Sequence, residues 1–259
     1  MKTIYTILFS FFVLQSFAQE KESDVILYYS HQTGKSTSHS GTYHKKTDAH
    51  EHGTVNFSTT GPVKYQLNPT DLSIQPNEDK TWTGTIMVDA LSAPEPGNMA
   101  KASVTGTFDI LFSQRDKKDS TKTETVNLKG SKTVNITVYS LDLRVHDTIA
   151  VCYNAQPFIT SGGYPEGGVY KWEISGNANI IAGSDEATMQ LTPINAGMAL
   201  AKITYTLEDI SITKNVVIQI IRPSKILLPD SLWLDSGVTK TLQVLPAYKN
   251  FAYASLSHS

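Results

Sequence analysis

The sequence predicts an all-β protein, built as tandem β-sandwich domains after a cleaved signal peptide. Three observations carry that reading. Apolar and polar residues alternate at the period of a half-buried strand in Tyr170-Lys171-Trp172-Glu173-Ile174-Ser175, and again in Ala201-Lys202-Ile203-Thr204-Tyr205-Thr206-Leu207. From Asp24 to Leu207 no window of about ten residues repeats its apolar positions at helical spacing. The chain has 259 residues, 40% hydrophobic and 18% charged, which is enough apolar material for two domains with cores of their own.

At the start, Lys2 precedes an apolar run from Ile4 to Leu14 that ends at Ser16-Phe17-Ala18. A basic start, a short apolar stretch and small residues at the cut describe a signal peptide over residues 1–18, cleaved between Ala18 and Gln19. The expected location is secreted, extracellular or cell-surface, with the periplasm open. No cysteine near the cut offers a lipid attachment point, and the single cysteine, Cys152, excludes an intrachain disulfide. Apolar burial and sheet hydrogen bonds must hold the domains. After cleavage no apolar run has the length of a transmembrane helix. With a formal charge of -2 and scattered Lys and Arg, nothing favours a nucleic-acid partner.

The first domain spans residues 24–140. Val25 to Tyr29 reads as its opening strand, and the polar, His-rich stretch 30–53 as an extended loop. Strand signals resume at Thr54 to Ser58 and at Val63 to Leu67, separated by Gly61-Pro62. Trp82, Ile86 and Val88 mark the next strand, which Ala93-Pro94-Glu95-Pro96-Gly97 ends. Val104, Phe108, Ile110 and Phe112, then Val126 and Leu128, then Val134, Ile136 and Val138 complete what reads as an antiparallel meander.

The second domain spans residues 141–221. Short runs around Leu143, Val151, Trp172, Ile180, Leu191, Tyr205 and Val216 give seven strands with turn signals between them. Trp172 and Tyr205 fall on apolar faces and are assigned to its core. Gly168-Val169-Tyr170-Lys171-Trp172-Glu173-Ile174, Thr188-Met189-Gln190-Leu191 and Gly197 followed by Ala201 to Tyr205 resemble the bacterial immunoglobulin-like repeats of secreted and surface proteins. That resemblance implies an immunoglobulin-like sandwich without paired cysteines, used for adhesion, spacing, or carbohydrate and protein contact. In residues 222–259, the Ile226 to Leu234 run resembles the opening of another such repeat, so this piece reads as an extension or a partial repeat.

Five of the seven histidines lie in the polar stretch, and His44, His50 and His52 are candidate metal ligands there, with Asp48 or Glu51 able to add an oxygen. The loop Gly162 to Gly168 offers Tyr164 to a ligand at one end of the sandwich. Thr33-Gly34-Lys35-Ser36 has the end of a phosphate loop but Tyr29 where its first glycine belongs. Cys152 and His146 lack a nucleophile signature, so Cys152 reads as a small buried or half-buried thiol. Asp185-Glu186 and Glu208-Asp209 fall at turns, without the spacing of a calcium loop. Asp119-Ser120-Thr121, Asp147-Thr148-Ile149 and Asp230-Ser231-Leu232 resemble acceptors of a bacterial O-glycosylation system. The reading that follows is a secreted, non-catalytic binding, adhesion or spacer module. It needs no cofactor and has an extracellular protein or carbohydrate as partner. The alternatives are the non-catalytic front of a longer secreted enzyme or toxin, and a His-rich metal-binding exported protein.

Overall fold

The computed structural model describes residues 25–46, 51–71, 73–75, 78–115 and 123–222, and among them it holds strands and no helix. Among the described residues no helix is long and apolar enough to cross a membrane. The first half comprises β1 (Val25–Ser30), β2 (Lys35–Ser36), β3 (Ser38–Lys46), β4 (Glu51–Thr60), β5 (Val63–Asn68), β6 (Asp79–Val88), β7 (Met99–Arg115) and β8 (Thr123–Ser140). They form a five-stranded sheet in the order β2-β1-β8-β7-β4 and a three-stranded sheet in the order β3-β6-β5. The second half comprises β9 (Asp142–Arg144), β10 (Thr148–Cys152), β11 (Phe158–Thr160), β12 (Gly162–Tyr164), β13 (Val169–Gly176), β14 (Ala178–Ala182), β15 (Thr188–Pro193), β16 (Gly197–Leu207) and β17 (Ile210–Ile221). Its sheets run β10-β17-β16-β13 and β11-β15-β14, and a β12-β9 pair flanks them.

These two sets of strands have the same arrangement. In each, the first strand of the longer sheet lies parallel to its last over five residues: Val25 to Tyr29 along Ile136 to Ser140, and Thr148 to Cys152 along Val217 to Ile221. All other pairings are antiparallel. Each set is an immunoglobulin-like sandwich of one longer and one three-stranded sheet. Two apolar cores result. One runs from Val25 to Val138 around Trp82, and the other from Leu141 to Ile220 around Trp172 and Tyr205.

The first half departs from the meander that its sequence suggests, because β1 pairs with β8 in parallel and β3 crosses to β6. The polar stretch 30–53, expected as loop, is strand over Ser38–Lys46 and from Glu51 onward, residues 47–50 lying outside the described residues. The reason is local. A strand in a sandwich buries one face only, and β3 fills that face with Gly41, opposite Gly84, and with Tyr43, stacked on Trp82 at 6.1 Å between ring centres. Its other face can then be Ser and Thr, and the nine-residue ladder to β6 satisfies the backbone groups on the side facing β6.

In the second core, Trp172 is 3% and Tyr205 0% exposed. Trp172 Nε1 donates to the Glu186 carbonyl at 2.9 Å. The Tyr205 hydroxyl accepts from the Gly168 amide at 2.9 Å and donates to the Pro165 carbonyl. A Cβ on Gly163 or Gly168 would run into the Tyr205 ring, so the glycine-rich stretch exists to let backbone lie against this side chain. Cys152, expected buried or half-buried, is exposed, because it ends β10, the edge strand of its sheet.

Candidate functional site

The two halves meet with one residue between them. β8 ends at Ser140 and β9 begins at Asp142, and the intervening Leu141 is 2% exposed within the second core. Its amide donates back to the Tyr29 carbonyl of β1 at 2.8 Å. Aromatic rings fill the seam. Tyr28 packs against the second core, stacks on Tyr139 at 6.1 Å, and Tyr139 meets Tyr164 edge-on at 6.0 Å. Burial, then the nearby Glu208 carboxylate and Tyr139, push the Tyr28 hydroxyl above the usual phenol range. Glu208 sits at φ 53° in the tight turn between β16 and β17.

Beside the seam lie two open cavities that share Asp142, Leu143 and Lys214 as lining. One, about 280 Å³, lies between the His31-Gln32 turn, Pro96 and the start of β17. The other, about 460 Å³, follows β9 past Arg144 and His146 to Thr160. Together they form a shallow groove with an apolar floor of Leu141, Leu143 and Ile212, all buried. Its walls are polar. Arg144 Nε reaches Asp142 Oδ2 at 3.2 Å, while Lys214 Nζ reaches both the Val145 carbonyl and Asp147 Oδ1 at 2.9 Å. Asp142 Oδ1 accepts from the Leu143 amide at 2.9 Å. His31 Nε2 lies 2.8 Å from the Pro94 carbonyl and so ties the turn to the loop behind it. Such a surface can hold an extended polar ligand through charged hydrogen bonds at its rim, and junctions between domains are a frequent place for such sites.

Tyr164 lies at this seam, in strand β12 rather than in a loop, half-buried and with its ring against Tyr139. Of Thr33 to Ser36, Thr33 and Gly34 lie in the β1–β2 hairpin turn, with Gly34 at φ +65° and its amide on the Ser30 carbonyl, while Lys35 and Ser36 are β2 itself. The candidate metal-binding histidines are not gathered. His44 on β3 is exposed and paired with Asp79, His52 lies on β4 in the other sheet, and His50 lies outside the described residues. Among the described residues no three metal-ligating side chains come together. His146, two residues before β10, and Cys152, at its end, are both exposed. Asp185-Glu186 and Glu208-Asp209 occupy turns. Gln32, Arg144 and Lys214 carry no sequence motif and emerge only from the fold.

No family model matches the chain, and no curated protein matches it. Among solved structures it is similar to the endo-fucoidan hydrolase MfFcnA4 of glycoside hydrolase family 107, at 13% identity and a TM-score of 0.24. That match covers 78% of this chain and 28% of the hydrolase, so the chain spans far less than the hydrolase's length. It is also similar to the titin domains Z1Z2 in complex with telethonin, at 10% identity, a TM-score of 0.23, and coverage of 78% and 93%. A third similarity is to the titin I-band fragment I67-I69, at 10% identity, a TM-score of 0.26, and coverage of 69% and 65%. At such scores the likenesses carry no functional argument.

Proposed function

We propose that the chain is an exported, non-catalytic binding or spacing module, of the kind that bacterial immunoglobulin-like repeats supply in secreted and surface proteins. Its partner is an extracellular carbohydrate or protein, held in the groove along β9. The observation that carries this reading is the seam itself: two sandwiches joined through one buried residue, with Arg144 and Lys214 displayed above an apolar floor. A preformed surface of this sort needs no ordering when a partner arrives. The signal-like start of the chain supports an extracellular setting.

The test is a binding screen of the full chain against panels of extracellular polysaccharides and surface proteins, repeated with Arg144→Ala. Removing a charged hydrogen-bonding group from the rim should weaken a genuine partner about tenfold, with the unfolding temperature unchanged because Arg144 is exposed. A partner whose affinity ignores Arg144→Ala, or chemical turnover of any member of the panels, would sink the proposal.

A further inference from the structure

The side chain of Gln32, in the turn between β1 and β2, crosses into the second sandwich. Its Nε2 donates to the Thr213 carbonyl and its Oε1 accepts from the Thr213 amide, both at 2.7 Å and across 181 residues of sequence. Thr213 lies on β17, where its opposite edge is paired with Thr204 of β16. The near edge of β17 is covered by β10 only from Val217 onward. In an antiparallel ladder one residue points its N–H and C=O to the same side. At Thr213 that side has no strand among the described residues, and the Gln32 carboxamide, itself one C=O and one N–H group, occupies the place of a peptide unit.

We infer that Gln32 acts as a one-residue surrogate strand and fixes the rotation of the first sandwich against the second. The other contacts at the seam constrain it less. Packing of Tyr28, Tyr139 and Tyr164 is non-directional and tolerates a turn about the long axis, and the single Leu141 amide bond to the Tyr29 carbonyl sits at the linker residue itself, where it limits separation. Two short hydrogen bonds to fixed backbone atoms are directional. They also start from a braced turn, because the Gly34 amide bonds the Ser30 carbonyl, the Thr33 amide bonds Ser30 Oγ, and His31 contacts the Pro94 carbonyl. Glutamate at position 32 would lack the donor, and asparagine would fall one methylene short. This inference does not depend on what the groove holds.

Backbone residual dipolar couplings of the full chain test it, since they report the alignment of each sandwich separately. Gln32 is exposed and outside both cores, so Gln32→Ala and Gln32→Glu leave both sandwiches folded, which their amide spectra verify. In the native protein the two sandwiches should share one alignment. In Gln32→Ala the alignments should diverge, and exchange of the Thr213 amide should rise about fivefold, the loss of one net hydrogen bond. Gln32→Glu, which retains the acceptor only, should fall between. Separate alignments already in the native protein, or a common alignment surviving in Gln32→Ala, would overturn the inference.

Discussion

The two sandwiches use one strand arrangement but place their anchoring tryptophan in opposite sheets. Trp82 sits on β6 of the three-stranded sheet, and Trp172 on β13 of the four-stranded one. Each is buried, and each donates its ring N–H to a loop carbonyl at 2.9 Å, Asp71 for Trp82 and Glu186 for Trp172. Backbone pairing fixes the arrangement, and the sandwich interior accepts its large side chain from either wall, provided the indole finds an acceptor. The aromatic–glycine contacts differ in the same way. Tyr65 lies over Gly84 and Phe108 over Gly130 in the first core, whereas Tyr205 alone covers both Gly163 and Gly168 in the second.

The largest test of that equivalence is to remove each anchor. Trp82→Ala and Trp172→Ala should each cost about 3–5 kcal/mol and unfold the sandwich that contains it, leaving the other's amide resonances in place. Chemical denaturation followed by domain-resolved NMR reads this. Loss of both sandwiches from one substitution would mean that the two cores are energetically one.

A smaller contrast lies in the two buried phenols. Tyr205→Phe strips the Gly168 amide and the Pro165 carbonyl of their partner and should cost about 1–3 kcal/mol. The Tyr65 hydroxyl is buried with no hydrogen-bond partner among the described residues, and burial holds its pKa far above the phenol range. Tyr65→Phe should therefore be neutral or stabilising by up to about 1 kcal/mol. Equal losses in urea titrations of the two variants would erase the distinction.

The smallest effect concerns the ion pairs around each anchor. A backbone hydrogen bond from Ser73, then Lys80, hold the Asp71 carboxyl at about 2, below its ordinary 3.8. Because the folded value is depressed, its contribution is complete above the unfolded pKa and disappears as pH falls through about 2. In the second sandwich Lys171, then Lys202, lower Glu173 in the same direction. Carboxyl-carbon NMR titration of Lys80→Met should move Asp71 only part of the way back, since the Ser73 amide remains. A full return to the ordinary value would mean that Lys80 supplied the whole shift.

The legibility of this molecule in its sequence follows from how many faces a strand buries. β13 announces itself because Tyr170, Trp172 and Ile174 alternate cleanly with charged residues. β3 does not, because its buried face is made of Gly41 and Tyr43, and Ser38, Ser40 and Thr42 carry no apolar signal. The immunoglobulin-like character of the first sandwich was hidden for a related reason. Its parallel β1–β8 pair joins residues more than a hundred positions apart, a contact without local periodicity. The groove was least legible of all. Lys214 on β17 comes to share a cavity with Gln32, and through it to join the one that Arg144 on β9 lines, only after both sandwiches have formed and met at Leu141.

The parallel pairing of the first and last strands of each longer sheet has a consequence for how such domains are multiplied. Were those strands antiparallel, the chain would leave each domain where it arrived, and a second domain could be accommodated only as an insertion or side branch. With β1 along β8 and β10 along β17, the chain arrives at one pole and departs from the other. Copies then add in series, and gene duplication lengthens the reach of the molecule without disturbing any existing strand.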